Sequence, residues 1–171
     1  MRSDEELMLA YARGDDAAFR ELFARHAPML GRIAQRQLGR AADAADIVQQ
    51  AFLQLHRARH DFDATMRFKP WVITIAMNLG RDLLRRRTRW RESDVEDHVL
   101  VAVDPEQPDE EAQAKVRAAL ARLPHDQREV IALHWFEELS FNEIAEIVGA
   151  KAGAVRVRAH RGYEALRRAL G

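Results

Sequence analysis

The chain has 171 residues, no cysteine, and 27 basic against 27 acidic residues. The missing cysteines exclude a disulfide framework, a thiol nucleophile and a cysteine-based zinc site. The acidic start MRSDEELMLAYARGDD has no apolar signal-peptide core, and no apolar run reaches the length of a membrane span, so a cytoplasmic protein with no membrane insertion is expected.

Ala, Leu, Arg and Glu are abundant while Gly and Pro are sparse, which predicts an all-α fold. The neutral total hides a division: residues 1–90 carry +5, residues 91–114 carry −8 and residues 115–171 carry +3. Two basic blocks around an acidic strip predict two small helical domains that face nucleic acid, over 1–90 and 112–171, joined by an acidic linker over 91–111. No internal repeat is visible.

In chain order, Ser3 with Glu6 is a capping box, Leu7 and Tyr11 share one face, and Gly14 stops the first helix. A second helix follows Asp15 and Asp16, with Phe19, Leu22, Phe23, Leu30 and Ile33 as its apolar stripe and a kink expected at Pro28. The third runs from about Asp43 to His60 on Ile47, Ala51, Phe52 and Leu55. The fourth begins near Pro70 and continues to about Trp90, with Val72, Ile75, Ala76, Leu79 and Leu83 as its buried side. After the Pro-containing acidic linker, helices are predicted from about Ala112 to Leu123 and from Asp126 to Glu138. Ser140 with Glu143 then opens a short helix on Phe141, Ile144, Ala145 and Val148, and Gly149 ends it. A last helix runs from about Gly153 to Leu170.

Two short helices joined through Gly149, the second rich in arginine, match a helix-turn-helix. At 100° per residue, Val155, Ala159, Leu166 and Leu170 face inward. The other side shows Gly153, Val157, His160, Arg161 and Glu164, flanked by Arg156 and Arg158. Such a basic, open surface fits a major groove about 12 Å wide, with Arg on guanine edges or phosphates and Val157 against a thymine methyl.

The outer face of the fourth helix holds Trp71, Thr74, Asn78, Asp82, Arg85 and Arg89, with Arg86 and Arg87 broadening the charge. An amide, arginines and an aromatic on one helix about 30 Å long suit single-stranded or melting DNA. In the preceding loop, Phe62 and Phe68 are candidates to wall a pocket for an extruded base.

Four strings in this order resemble the extracytoplasmic-function sigma factors of bacterial RNA polymerase, the minimal members of the sigma-70 family. DDAAFRELFARHAPML is similar to their region 2.1, DAADIVQQAFLQLHR to region 2.2, and FKPWVITIAMNLGRDLLRRRTR to regions 2.3–2.4. LPHDQREVIALHWFEELSFNEIAEIVGAKAGAVRVRAHRGYEALRRAL resembles region 4. The resemblance covers nearly the whole chain. It implies a protein that binds core RNA polymerase and promoter DNA and directs initiation, with an anti-sigma factor as a further partner. It implies that Asp43, Asp46, Gln49 and Phe52 dock the clamp helices of the β′ subunit, and that the two acids, one turn apart, meet basic side chains. It implies that the Phe62–Phe68 loop, Trp71 and Asn78 capture a −10 base while Arg85, Arg86 and Arg89 hold the strand. Lys151, Arg156, Val157, Arg158, His160 and Arg161 match positions that read the −35 element. The chain departs from the family pattern at Gln50, where an acid is usual, at His56, where Trp is common, and at Ala154 and Val157, where Thr and Ser are usual.

Two other classes are distinguishable. A metal-dependent helical hydrolase would use His56 and His60 at i, i+4 with Asp61 and Asp63, but a third and fourth ligand are not evident. No nucleotide-binding Gly loop or nucleophile elbow occurs, so no cofactor, resident metal or catalytic residue is expected. A one-component regulator would bind duplex DNA without polymerase and use the N-terminal helices as a sensor or dimer seam; the basic face of the fourth helix disfavours it.

Overall fold

A computed structural model describes residues 1–90 and 110–171, and among these it contains eight helices and no strand. The chain divides into two compact units, Met1–His98 and Val99–Gly171. The expected linker lies outside the described residues except at its last two positions, where a helix has already begun.

The first unit holds α1 (Asp4–Ala12), α2 (Asp16–Leu38), α3 (Ala41–Arg57) and α4 (Phe68–Trp90). Its centre is α2, which packs against each of the other three. Both halves of the capping box predicted for α1 form: the Glu6 N–H donates to Ser3 Oγ at 3.1 Å and the Ser3 N–H donates to Glu6 Oε2 at 2.7 Å. Asp15 caps α2 by accepting from the Ala18 N–H. The helix then runs unbroken through Pro28, although that residue has no N–H for the Ala24 carbonyl. Leu22, Leu30 and Ile33 are buried as expected, joined by His26, Met29 and Ala34. Phe23 is not: it lies at the edge of the stripe, 44% exposed, with its ring 4.7 Å from Phe52.

On α3, Ile47, Ala51, Phe52 and Leu55 are buried as their spacing predicts. The buried side of α4 is rotated from the prediction. Val72 and Ala76 are inside, but Ile73, Met77 and Gly80 accompany them, while Ile75, Leu79 and Leu83 are half-buried. The cause is a close approach of α2. A Cβ at Gly80 would lie 2.0 Å from Gln37 Oε1, and Gln37 Nε2 donates to the Met77 carbonyl at 3.1 Å. The helix turns the residues around Gly80 toward α2 to admit this contact.

The short α1 ties the unit together. Glu5 accepts from the Phe68 N–H at 2.9 Å, so one of the N–H groups left open at the start of α4 is satisfied from 63 residues away. Asp4 accepts from Arg25 at 2.7 Å and from His26 Nε2 at 2.8 Å, and the His26 ring lies 5.0 Å from Phe68. The Tyr11 hydroxyl hydrogen-bonds His56 Nδ1 near the end of α3.

The second unit holds α5 (Glu110–Ala121), α6 (His125–Phe136), α7 (Phe141–Val148) and α8 (Ala152–Leu170). Here α8 packs on the other three. Leu120, Leu123 and Ile131 form a core lined by Val116, Phe136, Tyr163, Ala165 and Leu166. The approach of α8 to α6 depends on Gly162, where a Cβ would lie 2.4 Å from Ile131 Cδ1. Val155 and Ala159 are buried as predicted, but the stripe ends at Leu166; Leu170 lies in an exposed last turn. On α7, Val148 is half-buried, and Ile147, which the predicted face left out, is buried.

Between α6 and α7, Glu138 adopts φ +54°, the left-handed conformation that costs a side-chain-bearing residue about 1–2 kcal/mol. Its neighbours hold it there: His134 Nδ1 donates to the Leu139 carbonyl at 2.7 Å, and Leu139 is buried. Glu138→Gly is expected to stabilise the C-terminal unit by about 0.5–1 kcal/mol once the greater freedom of unfolded glycine is deducted, as an upward shift of its thermal transition. A downward shift would show that the conformation is not strained.

The α1 contacts set an acid sensitivity. The bond from Phe68 holds the Glu5 carboxyl below its ordinary range, and burial holds His26 below its ordinary value of 6.5. In both cases the unfolded chain binds the proton more readily, so the stabilisation is complete above the unfolded pKa and is lost as pH falls through the folded one. The urea midpoint of the N-terminal unit should therefore begin to fall below about pH 6.5. His26→Gln should flatten the part of that decline above the carboxylate range; an unchanged slope would refute the role of His26.

Candidate nucleic-acid interface

The loop before α4 is anchored by aromatic rings. Phe68 is completely buried and Phe62 nearly so, with ring centroids 6.2 Å apart, and Trp71 packs at an angle against both at 5.1 and 6.0 Å. The sequence made these two phenylalanines candidate walls of a pocket for an extruded base, and the fold buries both rings. Their burial instead holds a loop whose exposed surface is Asp61, Asp63, Ala64, Thr65, Met66 and Arg67. Asp63 Oδ1 accepts from both the Thr65 N–H and its hydroxyl at 2.8 Å, and the backbone bond holds the Asp63 carboxyl below its usual range. Met66 projects into solvent. The sequence offered Asp63 only beside a candidate metal pair and gave Thr65 and Met66 no role, although Asp-x-Thr is a recognisable side-chain turn.

Beyond the loop, α4 presents half-buried Trp71 and exposed Asn78, Asp82, Arg85, Arg86 and Arg89 along one side. The Thr74 hydroxyl donates to the Pro70 carbonyl at 2.8 Å and so serves the helix. Asn78 Oδ1 accepts from Arg81 at 3.0 Å, which directs the Asn78 amide N–H groups to solvent. Arg87 turns the other way, with Nη2 2.8 Å from Asp43 Oδ1.

That pairing divides the four residues assigned to polymerase docking. Asp46 and Gln49 are exposed on α3. Phe52 is buried among Phe19 and Phe23, and Asp43 is largely enclosed by its contact with α4. The outer face of α3 therefore consists of Asp46, Gln49, Gln50 and Leu53, with the exposed ring of Phe23 beside Phe52. Leu53 and Phe23 were not foreseen here, since their spacing also suits a core.

In the second unit the capping box of α7 is complete. The Ser140 N–H donates to Glu143 Oε2 at 2.8 Å and the Glu143 N–H to Ser140 Oγ at 3.2 Å. Gly149, at φ +65°, ends the helix in the left-handed region, and the Gly149 and Ala150 N–H groups both return to the Ala145 carbonyl. The chain then enters α8 at Lys151, which has no side-chain cap bond. Because Val155, Ala159 and Gly162 face the core, Lys151, Gly153, Ala154, Arg156, Val157, His160 and Arg161 face solvent, Val157 being 49% exposed. Arg158 differs. Its Nε lies 3.3 Å from Asp126 Oδ2 on α6, so its guanidinium is drawn to one flank of the exposed face. His160 Nε2 is 3.9 Å from Glu164, a loose pair on an exposed turn.

Among the described residues there is no cluster of three or more His, Cys, Asp or Glu able to hold a metal ion, and His56 Nδ1 is engaged by Tyr11. Nor is any described helix long and apolar enough to cross a membrane.

Residues 22–90 match the model for sigma-70 region 2, and residues 113–166 match that for sigma-70 region 4. The chain is 38% identical over 166 residues to the RNA polymerase sigma factor CarQ of Myxococcus xanthus, covering 96% of this chain and 95% of that one. It is 30% identical over 171 residues to the ECF RNA polymerase sigma factor SigW of Bacillus subtilis, covering 92% and 91%. Among solved structures it is similar to CnrH in complex with the cytosolic domain of CnrY, with a TM-score of 0.74, 30% identity, and 99% and 97% of the two chains covered. It is similar also to the sigma factor RpoE of Bartonella quintana in complex with the anti-sigma factor NepR, with a TM-score of 0.74, 26% identity, and 89% and 96% covered.

Proposed function

Since this chain belongs to the extracytoplasmic-function sigma factors of the sigma-70 family, which direct transcription initiation by RNA polymerase, we propose how its residues divide that work. Residues 1–90 bind the β′ clamp and capture the −10 element, residues 91–111 connect, and residues 112–171 anchor on the −35 element. The observation that carries this reading is an outward basic face on one helix of each unit, α4 and α8.

On α3, Asp46 and Gln49 meet the clamp, with Leu53 and Phe23 adding apolar contact and Phe52 supporting them from beneath. On α4, Arg85, Arg86 and Arg89 hold phosphates, while Trp71 and Asn78 with the Met66 loop receive an unstacked base. Phe62 and Phe68 act by anchoring that loop. On α8, Arg156, His160 and Arg161 reach base edges and Val157 meets a thymine methyl; Lys151 and Arg158, at the start and flank, contact phosphates. Each contact is weak alone and becomes intramolecular once the others have formed, so recognition depends on polymerase. By likeness to RpoE bound to its anti-sigma factor, an anti-sigma partner covering these faces is part of the proposal, as is action in the cytoplasm.

Reconstitution with bacterial core RNA polymerase and mapping of transcription starts on genomic DNA tests the reading. Discrete starts that require this protein and share a −35/−10 pair are expected. Tight duplex binding without polymerase and no directed initiation would overturn it in favour of a one-component regulator. Residue roles separate in the same assay. Arg156→Ala should lower initiation about tenfold at promoters that depend on the −35 element, with core affinity retained. Asp46→Ala should weaken core binding at every promoter alike. Equal losses at all promoters from Arg156→Ala would remove it from base reading.

A further inference from the structure

Asp43 has the sequence position of a docking residue but the surroundings of a structural one. Its side chain is 14% exposed, and its Oδ1 lies 2.8 Å from Arg87 Nη2, on a side chain 32% exposed. Its Oδ2 is buried without a hydrogen-bond partner, and Arg40 Nε lies 3.7 Å from it. A carboxylate so enclosed is held by charge attraction in a poorly hydrated site, where removing one partner is costly. Asp43 lies in the first turn of α3 and Arg87 in the last turn of α4, the end of each helix that favours its charge.

The position of this pair along α4 matters. Gly80 is the last fully buried residue of that helix, and between Arg81 and Trp90 every residue is half-buried or exposed. This is the half that carries Arg85, Arg86 and Arg89. It emerges from the four-helix packing with five arginines and one acid, Asp82, so apolar burial does little to fix its direction. A charge-assisted contact to the start of α3 supplies an orienting force where packing does not.

We infer that Asp43 is a positioning residue for promoter opening rather than a polymerase contact, and that with Arg87 it latches the arginine-bearing end of α4 to α3. Arg87 is correspondingly withdrawn from the strand-binding face. The inference rests on the reading of α4 as the strand-binding helix.

The test uses full-length protein assembled with core polymerase and compares Asp43→Ala, Arg87→Ala and the double variant. Three quantities are measured: affinity for core, the rate of open-complex formation, and that rate on a template whose −10 segment is already unpaired. Each single variant should slow opening about tenfold, and the double variant should be no slower than the slower single, because both remove one interaction. Core affinity should stay within about twofold, and the unpaired template should remain sensitive because capture of the strand is what is lost. Arg87→Lys should retain most of the rate. Circular dichroism establishes folding, and Asp43→Asn, which keeps the shape, replaces Asp43→Ala if the latter unfolds. Loss of core affinity on Asp43→Ala but not on Arg87→Ala would overturn the inference and return Asp43 to the clamp. So would slowing that multiplies in the double variant, or no slowing at all. Absence of directed initiation by the unsubstituted protein would instead overturn the underlying reading.

Discussion

The N-terminal unit depends on one buried seam along α2. Leu22, His26, Met29, Leu30, Ile33 and Ala34 present successive surfaces to α1, α3 and α4, and α4 also meets its three neighbours, α1 most lightly. A helix about 34 Å long can serve three neighbours only if its apolar surface is wide, and here it is wide enough to include a buried histidine. His26 is made tolerable by Asp4, and that bond in turn seats α1. The outer surfaces are what this seam leaves over: the polar side of α3 and the arginine side of α4.

The second unit solves a similar problem with fewer residues. Its central helix, α8, buries one side against α5, α6 and α7 while leaving the other open to solvent. Small residues on the buried side, Ala159 and Gly162, let neighbouring helices come close without a wide apolar stripe. The solvent side then keeps the turns that hold Arg156, Val157, His160 and Arg161. Arg158, lying between the two sides, is used by the scaffold through Asp126.

Helix number and order were legible because they rest on local signals: two Ser-x-x-Glu boxes, Gly149 after a short apolar period, and Pro beside two helix starts. Which way a helix faces was less legible where a distant residue decides it. The rotation of α4 follows from Gln37 reaching Met77 past Gly80, and its start at Phe68 follows from Glu5; neither is written near α4. The candidate sites show the same division. Exposed polar positions such as Asn78 and Arg156 could be placed by periodicity, and Asp46 by the resemblance of its motif. The burial of Phe62, Phe68 and Phe52 and the capture of Asp43 and Arg158 by partner charges depend on tertiary neighbours. Aromatic rings in a loop look like ligand walls in a sequence and like anchors in a fold, and only packing tells them apart.

The ten residues between α3 and α4 are bounded by two bonds to the same short helix, Tyr11 to His56 on one side and Glu5 to Phe68 on the other. Six helical steps lead from Glu5 to Tyr11, a fixed span of about 9 Å. The loop is therefore measured against a ruler that is not part of it. Its solvent-facing side chains take no part in either fastening, whereas its length sets whether both can form. Shortening the loop would draw α1 off one of its two fastenings, while exchange of its exposed side chains would leave both in place.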